Sequence, residues 1–438
     1  MTEFTCELAM QAGRAAAIVL GQKCHGKAKI YVGKDTRLSS DVLEAALTAG
    51  ICSVGADAVL LGTVPSPAVS YLVKKHGADG GIMITAPLGD AEHNGIKIFS
   101  AKGTRISDDI EEEIDKLISA PDSITEHIRS GAEVGRISQD KNAHWDYVRY
   151  IMKTVEHSLG GVRVAVDCAN GSACETAEKL FTGLGATVVL INNAPDGTNI
   201  NDNCGSGYLT ALSNAVVKNK CHIGVAFDGD GGRCLAVDEN GAVIDGDKLI
   251  AIFAKDMRDK GTLVRNTAVV TTMANLGFTN FAKTNNINIS STKFGDKYII
   301  DQMLTHGYNL GGDQTGNIIF GDISSVGDGQ LAAAQLLSIY KRCEHKASEL
   351  ARLMDRYPQV IINTKISPAW REKWKNDSEI ESIISDNQKL LGSTGRVIVR
   401  ESSSEPIIRV MVEGKHFDII NDIAVKISDK IKERCSEV

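Results

Sequence analysis

Three times along the chain, an uninterrupted apolar run ends in a turn and gives way to a helical pattern. Ala28-Lys29-Ile30-Tyr31-Val32-Gly33 begins the first series, Val162-Arg163-Val164-Ala165-Val166-Asp167 the second, and Thr267-Ala268-Val269-Val270-Thr271-Thr272 the third. Within the first series, residues 5–20 read as an amphipathic helix and Ser40-Asp41-Val42-Leu43-Glu44 opens another with a capping-box pattern. Ala58-Val59-Leu60-Leu61-Gly62 and Gly81-Ile82-Met83-Ile84-Thr85 supply the next strands. Strands that are apolar on both faces belong to sheets covered by helices on both sides, and such sheets are mainly parallel. The expectation is three similar α/β domains with mixed, mainly parallel sheets, their related starts marking a repeat. From about residue 360 the pattern changes: Val360 to Thr364, Arg396 to Val399 and Ile407 to Val412 read as strands, with a closing helix over 417–433. That predicts a smaller C-terminal α+β domain.

Length agrees, since 438 residues exceed what one ordinary core organises. A net charge of −7 argues against nucleic acid or an anionic membrane as main partner, so any anion site must be a local positive pocket. No stretch approaches the ~18 apolar residues of a transmembrane helix. The ten cysteines are scattered without a Cys-x-x-Cys pair, and read as reduced thiols of a cytoplasmic protein.

Two polar runs interrupt the strand pattern with chemistry. Arg400-Glu401-Ser402-Ser403-Ser404-Glu405-Pro406-Ile407-Ile408-Arg409 sets three hydroxyls and a stiffening proline between two arginines. A dianionic phosphate calls for hydroxyl and backbone N–H donors in a tight turn, plus guanidinium groups that bond two oxygens at once. Taken alone, the run reads equally as a polar hairpin flanked by arginines. Asp228-Gly229-Asp230-Gly231-Gly232-Arg233 follows the buried-strand pattern Ile223 to Phe227. Carboxylates alternating with glycines at a strand end suit a hard cation such as Mg²⁺, and equally a solvated turn.

These runs resemble the α-D-phosphohexomutases, nearest to the bacterial phosphoglucosamine mutase branch, and the resemblance covers nearly the whole chain. It implies four domains around a central cleft, each contributing one loop. The boundaries are expected near 140, 245 and 357: residues 1–140 with the catalytic loop, 141–245 with the metal loop, 246–357 with the sugar loop, and 358–438 with the phosphate loop. Arg400, Ser402, Ser403, Ser404 and Arg409 would then bind phosphate, Ser403 and Ser404 standing where the family has Gly and Thr. Gly311-Gly312-Asp313-Gln314-Thr315-Gly316-Asn317 resembles Gly-Glu-Gln-Ser-Gly-His, whose carboxylate and hydroxyl grip sugar hydroxyls. Asp313 and Thr315 would take those roles, with Asn317 replacing His. Gly295-Asp296-Lys297-Tyr298 resembles Gly-Asp-Arg-Tyr, which adds Lys297, beside Arg233, to the substrate-binding candidates. Asp228 and Asp230 would hold Mg²⁺ weakly, because Gly232 stands where Asp-Gly-Asp-x-Asp-Arg has its third Asp.

The catalytic loop departs most. The family reads Thr/Ser-Ala-Ser-His-Asn-Pro, three residues, then Asn-Gly-x-Lys, and the second Ser carries the transferred phosphate. Here Thr85-Ala86-Pro87-Leu88-Gly89-Asp90-Ala91-Glu92-His93-Asn94-Gly95-Ile96-Lys97 aligns without a gap, so Pro87 occupies the phosphoserine position. Arg37 and Lys97 survive as catalytic candidates, and Asp90 and His93 are new ionisable groups. The family's opening Gly-Thr-Asp-Gly-x-Arg-Gly is absent, and the chain begins at what looks like the next helix. Three readings follow. One is an ordinary mutase, for which no replacement nucleophile stands in register. Another is a protein that binds a hexose or hexosamine phosphate as sensor, regulator or degenerate copy. The third is an enzyme with altered chemistry at Asp90, His93 and Lys97 or with a different phosphoacceptor. The partner expected is the phosphosugar, not nucleic acid or membrane, and a homodimer is compatible with the resemblance.

Overall fold

The computed structural model describes residues 4–24, 26–367, 370, 373–401 and 406–435. It divides into a larger unit, running to Met273 and again over Asn286–Leu353, and a smaller one of Ala274–Asn285 and Met354 onward. Among the described residues no helix is long and apolar enough to cross a membrane, and all ten cysteines are free thiols.

The larger unit holds three sheets. The first comprises β1 (Lys29–Lys34), β2 (Asp57–Thr63), β3 (Gly80–Ile84), β4 (Ile96–Ser100) and β5 (Ile137–Gln139) in the order β4-β3-β1-β2-β5. The second comprises β6 (Arg163–Asp167), β7 (Thr187–Ile191), β8 (Ile223–Phe227), β9 (Cys234–Asp238) and β10 (Val243–Ile244) in the order β10-β9-β8-β6-β7. The third comprises β11 (Thr267–Thr271), β12 (Asn288–Thr292), β13 (Leu310–Gly312) and β14 (Ile318–Phe320) in the order β12-β11-β13-β14. One plan recurs in all of them. The first strand lies between the second and third, parallel to both, and the fourth returns antiparallel beside the third. The repeat read from the strand starts is therefore a repeat of topology, and the sheets are mixed and mainly parallel as expected.

Burial explains the apolar runs. Ile30, Val32, Val164, Val166, Val225 and Val269 are fully buried because helices cover both faces of these sheets. Helix Cys6–Gly21 is capped by the Thr5 hydroxyl, which accepts from Leu8 N at 3.3 Å. The second helix differs from its sequence signal: it spans Leu38–Ser53, so Ser40 lies inside it. The Ser40 hydroxyl donates to Asp35 Oδ1 at 2.8 Å, and the same oxygen accepts from Arg37 N at 3.1 Å. Asp35 thus organises the start that the capping-box pattern attributed to Ser40.

The smaller unit is an antiparallel sheet of β15 (Gln359–Lys365), β16 (Gly395–Glu401) and β17 (Ile407–Gly414) in the order β15-β17-β16. Ile408, Val410 and Val412, two apart on β17, bury one face against Ile420, Ile423, Ala424, Ile427 and Ile431 of helix Phe417–Cys435. Glu413 is fully buried and pairs with Arg396 Nε at 2.6 Å, while its other oxygen accepts from Leu276 N at 2.9 Å.

Candidate functional site

The repeated plan puts one loop in the same place three times, between the third parallel strand and its antiparallel neighbour. Residues 85–95 join β3 to β4, 228–233 join β8 to β9, and 313–317 join β13 to β14. Each begins at the carboxyl end of a parallel strand, the usual ligand side of such sheets. Hydrogen bonds tie the loops together. Pro87 O accepts from Gly229 N at 3.0 Å and from Asn201 Nδ2 at 3.0 Å. Cys234 N donates to Gly316 O at 2.9 Å. Lys97 Nζ reaches Asp230 Oδ2, and the Ser66 hydroxyl donates to the same oxygen. The three loops enclose a cavity of about 280 Å³ lined by Pro87, Lys97, Asp228, Arg233, Asp313 and Asn317, with Ser66, Arg105 and Asp296 at its walls.

Asp228 and Asp230 are almost wholly buried. Burial and the neighbouring Asp230 charge push the Asp228 carboxyl well above the usual carboxylate range. Burial acts the same way on Asp230, but the Lys97 ammonium and the Lys97 and Ser66 hydrogen bonds outweigh it and hold that carboxyl below. Asp228 Oδ1 accepts from Arg233 N at 2.9 Å, and Arg233 Nε lies 3.7 Å from Oδ2. A hard divalent cation needs a shell of oxygens. This loop presents two carboxylates, Gly232 adds none, and Asp230 Oδ2 is already engaged by Lys97 and Ser66. As folded, the loop therefore offers a cation two carboxylates, one of them with an oxygen already engaged.

Asp313 is buried and turned inward: Oδ1 accepts from Thr315 N at 2.8 Å and from the Thr315 hydroxyl at 2.6 Å. Lys97, Arg233 and Asp313 therefore meet in one cavity, whereas the Thr315 hydroxyl is committed to Asp313. Four other candidates lie elsewhere. Arg37, 2% exposed, donates to Ala86 O at 2.7 Å, Gly89 O at 2.8 Å and Asp90 O at 3.2 Å and pairs with Asp35, so it shapes the loop from behind. Asp90 and His93 point outward, their side chains 64% and 68% exposed, and bond each other at 2.8 Å. The His93 hydrogen bond holds the Asp90 carboxyl below its usual range. Lys297 pairs with Asp108 rather than entering the cavity, though its neighbours Gly295 and Asp296 line it.

In the smaller unit, Arg400 and Arg409 are direct partners across β16 and β17. Burial, and then the Arg409 charge, lower the Arg400 guanidinium from its ordinary value. Arg409 Nε donates to Asn363 Oδ1 at 2.8 Å. Ser402, Ser403 and Ser404 lie outside the described residues. Sequence reasoning missed Arg105, a single arginine in a hairpin with no motif around it. Ser66, in the run Thr63-Val64-Pro65-Ser66-Pro67, was likewise not among the candidates.

Residues 1–125, 144–241, 245–357 and 361–430 match, in that order, the profiles of phosphoglucomutase/phosphomannomutase alpha/beta/alpha domain I, domain II, domain III and the C-terminal domain. A phosphoglucosamine mutase of Clostridium perfringens is 47% identical over 437 residues, 99% of this chain and 97% of its own. A phosphoglucomutase/phosphomannomutase family protein of Burkholderia thailandensis shares the fold with a TM-score of 0.83 at 21% identity, over 98% of this chain and 94% of that one. The Aspergillus fumigatus N-acetylphosphoglucosamine mutase, solved in complex with GlcNAc-6P and magnesium, shares it with a TM-score of 0.61 at 16% identity, over 94% of this chain and 84% of that one.

Proposed function

Because the chain belongs to the phosphoglucomutase/phosphomannomutase family, we propose that it binds a hexose or hexosamine phosphate without passing a phosphate through a serine of its own. One observation carries this reading: Pro87 lines the cavity beside Lys97, at the position where the resembled family bears its phosphoserine. Proline has no hydroxyl. Thr85, two residues earlier, is 3% exposed with its hydroxyl sealed inside, and Asp90 faces solvent. Neither meets a ligand in the cavity, and losing a nucleophile removes most of a covalent mechanism.

What remains favours holding a ligand. Asp313 and Arg233 supply polar contacts for a sugar, and Lys97 a positive charge. Arg400 and Arg409 stand opposite each other on neighbouring strands, a repulsive arrangement that a phosphate between them would turn into attraction. A reading in which another hydroxyl accepts phosphate has one observation in its favour, that Ser66 lines the cavity with its proton directed to Asp230.

The decisive experiment is a mutase assay with glucosamine 6-phosphate, Mg²⁺ and a sugar bisphosphate primer, on the parent protein and on Pro87→Ser. The expected result is binding without turnover by the parent, and at most partial turnover by the variant. Robust turnover by the parent overturns the reading, and phosphopeptide mapping would then ask whether Ser66 carries the phosphate.

A further inference from the structure

Away from that cavity, three side chains from three separate segments turn toward one point. His76 is the last residue of helix Ser66–His76, which Gly77 ends in the left-handed conformation at φ 60°. Asp140 directly follows β5, and Asp146 lies on helix Ala143–Met152. His76 Nε2 stands 3.9 Å from Asp140 Oδ2 and 3.8 Å from Asp146 Oδ2. Each of the three offers one ligand atom, all within 4.8 Å of one another, and among the described residues no other three His, Cys, Asp or Glu side chains gather so closely.

Contacts from outside the group fix these side chains. The His76 ring stacks on the buried Tyr31 of β1, with ring centroids 5.8 Å apart and planes 8° from parallel. Asp140 Oδ1 accepts from Asn142 N at 2.9 Å, which leaves Oδ2 to face His76. Asp146 Oδ2 is met by Lys75 Nζ, and its Oδ1 lies 4.0 Å from Arg149 Nη1. Lys75 accounts for the Asp146 charge but not for a second carboxylate and an imidazole brought to the same point. The carboxylates are 17% and 18% exposed and the imidazole 35%, so a solute can approach from the His76 side.

We propose that His76, Asp140 and Asp146 are the protein ligands of a zinc site, distinct from the cavity between the three loops. One imidazole nitrogen and two carboxylate oxygens suit zinc, with water in the fourth position, whereas Mg²⁺ favours an all-oxygen shell. Ligand atoms of a tetrahedral zinc, at bonds of about 2 Å, stand roughly 3.3 Å apart. The two His76 distances therefore close by about half an ångström on binding, and the ion displaces the Lys75 ammonium from Asp146. The site would tie helix Ala143–Met152 to the first sheet. That helix carries Tyr147, whose hydroxyl donates to Asp328 Oδ1 at 2.7 Å, so zinc bound here also steadies the start of helix Gly329–Cys343.

Calorimetry on the full chain, stripped with a chelator and titrated with zinc chloride, tests the site. One zinc is expected to bind in a manner that excess Mg²⁺ does not prevent. His76→Ala and Asp140→Asn should each weaken it roughly tenfold or more. Lys75→Met removes the competing cation and should tighten binding, a gain that misfolding cannot imitate. Zinc should also raise the Tm of the parent by about 3 °C or more and leave that of His76→Ala unchanged. Asp228→Asn should bind zinc as the parent does. No zinc binding by the parent, or equal binding in His76→Ala, overturns the proposal, and loss in Asp228→Asn alone would place the ion on the loop after β8 instead.

Discussion

In the function proposed above, single residues carry the departure from mutase chemistry. Pro87 was legible at once, because an absent hydroxyl is a property of residue identity. The position of Arg37 was not, because the backbone carbonyls it holds lie 49 to 53 residues away. Gly232 is a residue-scale test of the metal loop. A Cβ there would have only Asp230 Oδ1 close, at 3.2 Å, so a side chain can be accommodated. Gly232→Asp is expected to raise Mg²⁺ affinity by tenfold or more, about 1.4 kcal/mol, in a calorimetric titration; unchanged binding would show that a missing third carboxylate is not what limits the cation. Arg409→Ala should cost about 2–4 kcal/mol of glucose 6-phosphate binding, the range for removing one partner of a desolvated charge pair. Equal affinity in variant and parent would place the phosphate elsewhere.

Among elements, the strand-to-strand loops matter most, since repetition of one topology delivers three of them to one cavity. The helix that follows, Gly329–Cys343, adds a titrating group. Its N-cap Asp328 accepts from Leu331 N at 3.0 Å and from the Tyr147 hydroxyl at 2.7 Å. Burial pushes this carboxyl up to about 6. The folded protein therefore holds that proton more tightly than the unfolded chain. The resulting stability is full below the ordinary carboxylate value and is lost as pH rises through about 6. Asp328→Asn does not titrate, so its stability relative to the parent should improve between pH 4 and pH 8 by on the order of 2–3 kcal/mol in urea unfolding. Parallel pH profiles for the two proteins would refute a raised carboxyl at this cap.

At the scale of the whole molecule, the two units have separate cores. In the smaller one Ile427 is fully buried against β17. Ile427→Ala should destabilise that unit by about 2–5 kcal/mol. Hydrogen exchange read by mass spectrometry should show protection lost in β15, β16 and β17 and kept in β1, β6 and β11. Equal loss in all four sheets would mean that the cores unfold as one.

The apolar runs alone determined three α/β sheets and a different C-terminal sheet, since strand and helix periodicity is written locally in the chain. Residue identity alone put proline at position 87 and glycine at position 232. What required the tertiary structure was every pairing across long stretches of chain. Lys97 was visible as a retained lysine, but its bond to Asp230 spans 133 residues. Asp90 and His93 looked like new catalytic groups, and only the path of the loop turned them to solvent. Arg105 carried no signal, because its meaning depends on which wall of a cavity it occupies. Local pattern specifies elements, whereas the direction of a side chain into a shared cavity is decided by how those elements pack.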